Sequence, residues 1–142
     1  MKKKEHFLFV CVENSGRSQM AEAFANRIGL SASSAGTLPS GRVNPEVVEA
    51  MKEEGIDLST AVPKVLTREM IEGATLVITM GCSVEEVCPR PILAMMRKKS
   101  VDWQLEDPKG EPPQRVREIR DEVKKRVKDL ARGSLGERRI PR

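Results

Sequence analysis

The stretch Cys11-Val12-Glu13-Asn14-Ser15-Gly16-Arg17-Ser18 constrains this chain more than any other, because of what flanks it. His6-Phe7-Leu8-Phe9-Val10 precedes it, a short apolar run that reads as a buried strand. Met20, Ala21, Phe24, Ala25 and Ile28 follow at helical spacing and give the next segment one apolar face. A strand that passes through a tight loop into a helix turns backbone N–H groups inward, above the positive end of the helix dipole. Such a loop is a cradle for a tetrahedral oxyanion. Val12, Glu13, Asn14, Ser15, Gly16, Arg17 and Ser18 are its expected oxyanion-binding residues, with Cys11 at its opening.

The residue types fit that chemistry. A thiol at a helix N-terminus beside a guanidinium has its pKa lowered, so Cys11 is expected to be a thiolate at neutral pH. Arg17 offers a planar fork for two oxygens of the anion. Ser18 can donate its hydroxyl to the thiolate, and Asn14 tolerates the backbone angles that a ring of inward amides demands. Taken alone, Cys11 reads more readily as a buried structural cysteine, with Arg17 on a solvated helix face. The strand before, the helix after and the Arg17-Ser18 pair together turn the reading to an oxyanion loop.

At 142 residues the chain is expected to form one catalytic domain over residues 1–132, followed by a flexible basic tail over 133–142. Its 25 Lys and Arg against 21 Asp and Glu leave a net charge of +4, a modest field that suits an anionic substrate. Nucleic acid is not an expected partner: the bases are interleaved with acids, and there is no Tyr, one Trp and three Phe to stack on bases. No run approaches a membrane span, and the apolar stretch after Met1-Lys2-Lys3-Lys4 is too short for a secretion signal. A cytoplasmic monomer is expected, and in that compartment three reduced cysteines invite a chemical explanation rather than disulfides.

Further along, Ser31 to Ala35 is a strand candidate that Gly36 is expected to end. Asn44 caps a helix with Pro45 as its first residue, Val47, Val48 and Met51 on its apolar side, and Gly55 stopping it. Thr67 caps a short helix to Glu72. Thr75-Leu76-Val77-Ile78-Thr79-Met80 is apolar without alternation, as a strand covered on both faces should be. Ser83-Val84-Glu85-Glu86 reads as a capping box for a short helix from Cys82 towards Cys88, ended by Pro89 and Pro91. Ser100 to Gln104 offers a fourth strand. Pro112-Pro113 opens a last helix striped by Val116, Ile119, Val123, Val127 and Leu130.

Strands alternating with helices predict an α/β fold: a doubly wound, four-stranded parallel sheet of order 2-1-3-4 flanked by helices. Such sheets bind ligands at the carboxyl ends of their strands, where strand order reverses. Cys11, Cys82 and Asp107 all fall at or just beyond such ends, so three candidates converge on one edge.

Cys82 and Cys88 are six positions apart. Zinc frameworks prefer closer pairs and four ligands, so no metal site is expected. Two buried packing thiols remain an alternative to a redox pair. On an intact helix, residues six apart are separated by about 9 Å along the axis, while a disulfide needs Cα atoms roughly 4.4–6.8 Å apart. Joining these two therefore requires the short helix to unwind, which predicts a segment that is helical when reduced and looped out when oxidised. Asp107-Pro108 reads either as ordinary turn chemistry or as an acid over the cradle that protonates a departing oxygen; its place at the catalytic edge favours the acid. Glu13 and Glu22 read as solvated charges or cradle supports, and His6 as incidental.

The whole pattern resembles the thioredoxin-coupled arsenate reductases, which share the fold of low-molecular-weight protein tyrosine phosphatases. The likeness runs from about Phe7 to Leu130. It rests on Cys11-Val-Glu-Asn-Ser-Gly-Arg17-Ser-Gln-Met-Ala-Glu22, Ser34-Ala-Gly36, Val43 to Lys52, Cys82…Cys88-Pro89 and Trp103…Asp107-Pro-Lys-Gly110. The resemblance implies that Cys11 attacks arsenate while Arg17 and the loop amides hold it, and that Asp107 protonates the leaving oxygen. It further implies a Cys11–Cys82 disulfide as arsenite leaves, then a Cys82–Cys88 disulfide for thioredoxin or a thioredoxin-like reductant. Phosphate and sulfate are the implied competing oxyanions; no metal or organic cofactor enters. Three departures stand out. The Cys82–Cys88 gap is one residue shorter than the family's usual spacing, Gly16 replaces a frequent second cysteine, and Lys64 stands where some members carry a cation-binding acid.

Two rival readings share these residues. A phosphatase acting on phosphotyrosine or a small phosphoester needs only Cys11, Arg17 and Asp107, but usually carries aromatic residues beside the acid, where this chain has Lys109-Gly110. A regulator that binds an oxyanion or arsenite through three soft thiols predicts tight binding without turnover.

Overall fold

A computed structural model of the chain describes residues 5–81 and 99–133. Four strands, β1 (Phe7–Cys11), β2 (Ala32–Gly36), β3 (Leu76–Thr79) and β4 (Ser100–Asp102), form one parallel sheet in the order β2-β1-β3-β4. The expected strand order is the observed one. Around it lie α1 (Arg17–Arg27), α2 (Pro45–Lys52), α3 (Arg68–Gly73) and α4 (Pro113–Arg132). The expected short helix after Cys82 and the tail beyond Gly133 fall outside the described residues.

β1 is the hub, because its five residues are all buried and it pairs on both sides. A parallel strand covered on both faces needs an unbroken apolar run, which Phe7-Leu8-Phe9-Val10-Cys11 supplies. Alternation then splits its side chains between two cores. Phe7, Phe9 and Cys11 join Met20 and Phe24 of α1, Val47 and Met51 of α2, and Val116, Val123 and Val127 of α4. Leu8 and Val10 pack with Val77 of β3 and with Ile71 and Ala74. The register Phe7↔Ala32 to Cys11↔Gly36, and Val10↔Thr79, sets the carboxyl ends of the three strands side by side.

Local signals locate the helices. Asn44 Oδ1 accepts from the Glu46 N–H at 2.9 Å, and Pro45 occupies the first turn of α2. Thr67 Oγ1 accepts from the Met70 N–H at 3.2 Å at the start of α3. His6, expected to be incidental, ties strand ends together: its ring nitrogens lie 2.7 Å from Ser31 Oγ and 2.8 Å from Ser33 Oγ. The strand limits differ from expectation by a residue or two: β1 and β2 run one residue later, ending at Cys11 and Gly36, β3 is Leu76–Thr79 rather than Thr75 to Met80, and β4 stops at Asp102 instead of Gln104. The end of β4 has a cause: Gln104 turns left-handed at φ 53°, and Asp102 Oδ1 accepts from both Thr79 Oγ1 and the Gln104 N–H.

α2 and α4 are joined by charge as well as apolar packing. The buried Arg120 donates from Nη1 to the Ala50 carbonyl and to Glu53 Oε1, both at 2.8 Å. Lys124 Nζ reaches Glu54 Oε1 at 2.6 Å. That hydrogen bond, joined by the charges of Lys124 and Arg120 and opposed by burial, holds the Glu54 carboxyl below its ordinary value of 4.5. A depressed native pKa adds stability above the ordinary value, and that stability drains away as pH falls through the lowered one. Chemical denaturation between pH 5 and 3 is therefore expected to show a shallower loss of stability in Glu54→Gln than in wild type; parallel losses would contradict this role.

Candidate active site

The loop from Cys11 to α1 is closed around Asn14. Its backbone is left-handed at φ 53°, a conformation that Asn adopts more readily than most residues. The side-chain amide then makes every hydrogen bond open to it. Nδ2 donates to Ser18 Oγ at 2.7 Å and to Ser34 Oγ at 3.0 Å. Oδ1 accepts from the Lys64 N–H at 2.8 Å and from Gln19 Nε2 at 3.0 Å. Meanwhile the Asn14 N–H points at Cys11 Sγ, 3.2 Å away.

Ser18 completes the sulfur's surroundings. Its Oγ lies 2.9 Å from Cys11 Sγ. That oxygen accepts from Asn14 Nδ2, and its own proton can turn to the sulfur when the thiol is ionised, so the Asn14 N–H and the Ser18 hydroxyl are placed to stabilise a thiolate. The same logic runs on to the surface: Ser34 accepts from Asn14 and donates to Glu22 Oε1 at 2.5 Å, and Lys64 Nζ stands 3.5 Å from that carboxylate. Glu22, read as a solvated charge or a support, is a support.

Arg17 is the first residue of α1, and no side chain among the described residues caps the helix start, so its first amides are placed for an anion. Its guanidinium is largely committed. Nη1 donates to the carbonyls of Met80 at 2.9 Å and Leu105 at 2.7 Å, just past the carboxyl ends of β3 and β4. Nη2 lies 3.7 Å from Asp107 Oδ2. Buried Arg17 and the mostly exposed Asp107 thus sit side by side on the wall of a cavity of about 200 Å³ lined by Cys11, Val12, Glu13, Ser15, Gly16, Arg17 and Asp107. Of the expected cradle residues, Asn14 and Ser18 lie beneath the cavity as its frame, fully buried. Cys82 and Cys88 lie outside the described residues.

A nucleophilic sulfur, an arginine held at a helix N-terminus and a carboxyl group around one small polar cavity describe an oxyanion-transfer site. Residues 6–139 match the low molecular weight phosphotyrosine protein phosphatases. The chain belongs to that family. Among its relatives, the arsenate reductase of Brevibacillus brevis is 36% identical over 134 residues, 92% of this chain and 97% of that protein. A mutant of the YwlE arginine phosphatase with a phosphorylated active-site serine superposes with a TM-score of 0.83 at 28% identity, covering 96% of this chain and 99% of the other. A thioredoxin-dependent arsenate reductase of Corynebacterium glutamicum gives a TM-score of 0.72 at 36% identity, covering 93% of this chain and 62% of its own. Family membership therefore fits both rival chemistries.

Some parts of this family member's site escape a reading of the sequence. The Lys64 N–H and the Met80 and Leu105 carbonyls act through main-chain geometry that no local pattern encodes, and the Gln19 side-chain amide joins them beneath the loop. Gly36 leaves a trace, as a glycine at the carboxyl end of the strand beside the loop. A β-carbon there would fall 2.5 Å from the Val12 carbonyl oxygen and 2.9 Å from the Asn14 nitrogen. Both neighbours are backbone and cannot swing aside, so Gly36→Ala must displace the cradle itself. It is expected to cost about 1–3 kcal/mol of stability and to abolish the rise in melting temperature caused by inorganic phosphate. A variant with wild-type melting and an undiminished phosphate response would refute this.

Proposed function

We propose that this chain reduces arsenate to arsenite through a relay of Cys11, Cys82 and Cys88 recycled by thioredoxin or a thioredoxin-like reductant. The observation that carries the reading is Arg17, whose one nitrogen joins the cradle to the chain leading to Cys82. Arg17 Nη1 binds the Met80 carbonyl, two residues before Cys82. Gly81 then turns left-handed at φ 89° in a place where a side chain would strike the backbone of Gln104 and Leu105. The backbone at residue 81 therefore starts from the rim of the cradle, and each further residue adds at most about 3.8 Å of reach. The arsenate reductases among the relatives support the substrate, and the Corynebacterium glutamicum protein supports the reductant.

In this reading the Cys11 thiolate attacks the arsenic of bound arsenate. Asp107 gives a proton to the departing oxygen, which leaves as water, and a sulfur–arsenic bond remains. Loop amides and Arg17 hold the remaining oxygens while charge redistributes. Cys82 then attacks the Cys11 sulfur. The electron pair of the sulfur–arsenic bond passes to arsenic, which departs as arsenite, and a Cys11–Cys82 disulfide forms. Cys88 attacks Cys82, restoring the Cys11 thiol, and the dithiol of thioredoxin reduces the Cys82–Cys88 disulfide. The protein does this as a cytoplasmic monomer, where thiols are kept reduced. Among the described residues no helix is long and apolar enough to cross a membrane.

Hydrolysis of a phosphoester is the second reading, favoured by the match to the phosphotyrosine protein phosphatases and by a cradle that needs only Cys11, Arg17 and Asp107. Arsenate-dependent NADPH oxidation with thioredoxin and thioredoxin reductase separates the two. Cys11→Ser, Cys82→Ser and Cys88→Ser are each expected to abolish it, while 4-nitrophenyl phosphate hydrolysis fails only in Cys11→Ser. Full arsenate turnover by Cys82→Ser or Cys88→Ser would sink the relay. Asp107→Asn is expected to slow arsenate turnover about a hundredfold or more, as loss of a general acid does; an unchanged rate would remove Asp107 from the chemistry.

A further inference from the structure

The loop bearing Asp107 is fastened to the cradle at two points that the chemistry above does not use. Pro108 lies directly on Gly16: a β-carbon added to Gly16 would stand 3.1 Å from Pro108 Cγ. One residue on, Lys109 Nζ donates to Glu13 Oε2 at 2.9 Å, and the Lys109 backbone N–H donates to Asp107 Oδ1 at 3.0 Å. Lys109 therefore grips the cradle with its side chain and the acid with its main chain. The Glu13 carboxylate holds the Lys109 amine above its ordinary 10.5, so the pair stays charged on the lysine side at any working pH.

This ion pair also stands on a boundary. Glu13 and Ser15 line both the cradle and a neighbouring cavity of about 310 Å³, which Lys109 lines together with Ser40, Arg42 and Asn44. A free tetrahedral oxyanion is held within the cradle and has no use for the second cavity. The organic group of an esterified oxyanion must leave the cradle through the rim, and among the described residues this cavity is one that shares Glu13 and Ser15 with it. Glu13 carries a negative charge at a site built for an anion, and Lys109 neutralises it there.

We propose that the Glu13–Lys109 ion pair is a specificity latch: it fixes Asp107 over the cradle and walls the cradle off from the neighbouring cavity, selecting free tetrahedral oxyanions over their esters. Lys109 is a positioning residue in this scheme. The preferred substrate rests on the arsenate-reduction reading; the latch itself rests on the geometry of the rim.

The test compares kcat/KM for arsenate with that for phenyl phosphate in wild type, Lys109→Met, Glu13→Gln and the exchanged Glu13→Lys/Lys109→Glu. Loosening Asp107 acts on kcat, so the effect on entry is read separately from the KM for phenyl phosphate. Opening the latch is expected to raise the phenyl phosphate to arsenate ratio about threefold to fivefold in each single variant, the scale of one exposed ion pair, through a lower KM for phenyl phosphate. The exchange is expected to return the ratio towards wild type. Single variants with the wild-type ratio would overturn the latch, and a ratio raised equally in the exchanged protein would overturn pairing as its cause. A wild-type protein that turns over no arsenate overturns the function instead. The latch is then judged by inhibition of phenyl phosphate hydrolysis: inorganic phosphate should inhibit less well, relative to the ester's KM, in the single variants, and an unchanged relation overturns it.

Discussion

The site depends on one residue being held in a conformation it would otherwise leave. A left-handed backbone costs an ordinary L-residue about 1–2 kcal/mol, and Asn less. Against this stand four hydrogen bonds to the Asn14 amide, each worth roughly 0.5–1.5 kcal/mol net, from or to Ser18, Ser34, Gln19 and Lys64. The sum favours the left-handed turn comfortably. Reversing the peptide direction at Asn14 is what lets the loop close on Cys11 and present its N–H to the sulfur. The partners come from α1, from β2 and from the segment that runs beside the end of β2, so the loop is shaped by the sheet edge rather than by its own sequence alone.

That dependence decides what a reader of the sequence can and cannot find. β1, the cradle and α1 are legible because the hydrophobic period changes there from a continuous run to helical spacing within a few residues. β3 is legible from its own continuous apolar run, and Asp107 because topology alone brings the end of β4 to the cradle's edge. The limits show where contacts are distant. Lys64 meets Asn14 across 50 positions, Arg17 meets Leu105 across 88, and Glu13 meets Lys109 across 96. Nothing local marks these residues: a lysine in a loop and a carbonyl at a strand end look the same wherever the chain goes. Gln104 reads as strand because side-chain type says nothing about the left-handed turn that its neighbours impose.

Arg17 illustrates how function uses such distant contacts. A free guanidinium could grip an oxyanion with all its donors, but it would have to be ordered on every encounter. Here Nη1 is already bound to the Met80 and Leu105 carbonyls, and only part of the fork is left facing the cavity. Fewer donors are offered, and those offered are fixed in advance, which is the arrangement that stabilises developing charge without reorganisation. The close approach of Gly81 to Gln104 and Leu105 brings the two carbonyls within reach of one nitrogen. A substituent at Gly81 would strike Gln104 and Leu105 and through the Leu105 carbonyl reach Arg17, although Gly81 and Arg17 are 64 positions apart in the chain.

A cradle of this kind cannot choose between its two chemistries. Arsenate and a phosphoester present the same tetrahedral array of oxygens to the same amides, and both begin with sulfur attacking the central atom while an acid protonates what leaves. They part at the next step. Water attacking phosphorus completes a hydrolysis, whereas a second thiol attacking the first sulfur needs a central atom that will accept an electron pair, as arsenic does and phosphorus does not. Selection must therefore come from what surrounds the cradle: which nucleophile arrives second, and how much of the substrate the rim admits. In this chain the rim is built tight, with Pro108 on Gly16 and Lys109 on Glu13. A side chain in place of Gly16 would put its β-carbon 3.1 Å from Pro108 Cγ, so Pro108 would have to give by a few tenths of an ångström. Glycine at this position is thus what lets the loop bearing Asp107 sit this close to the cradle.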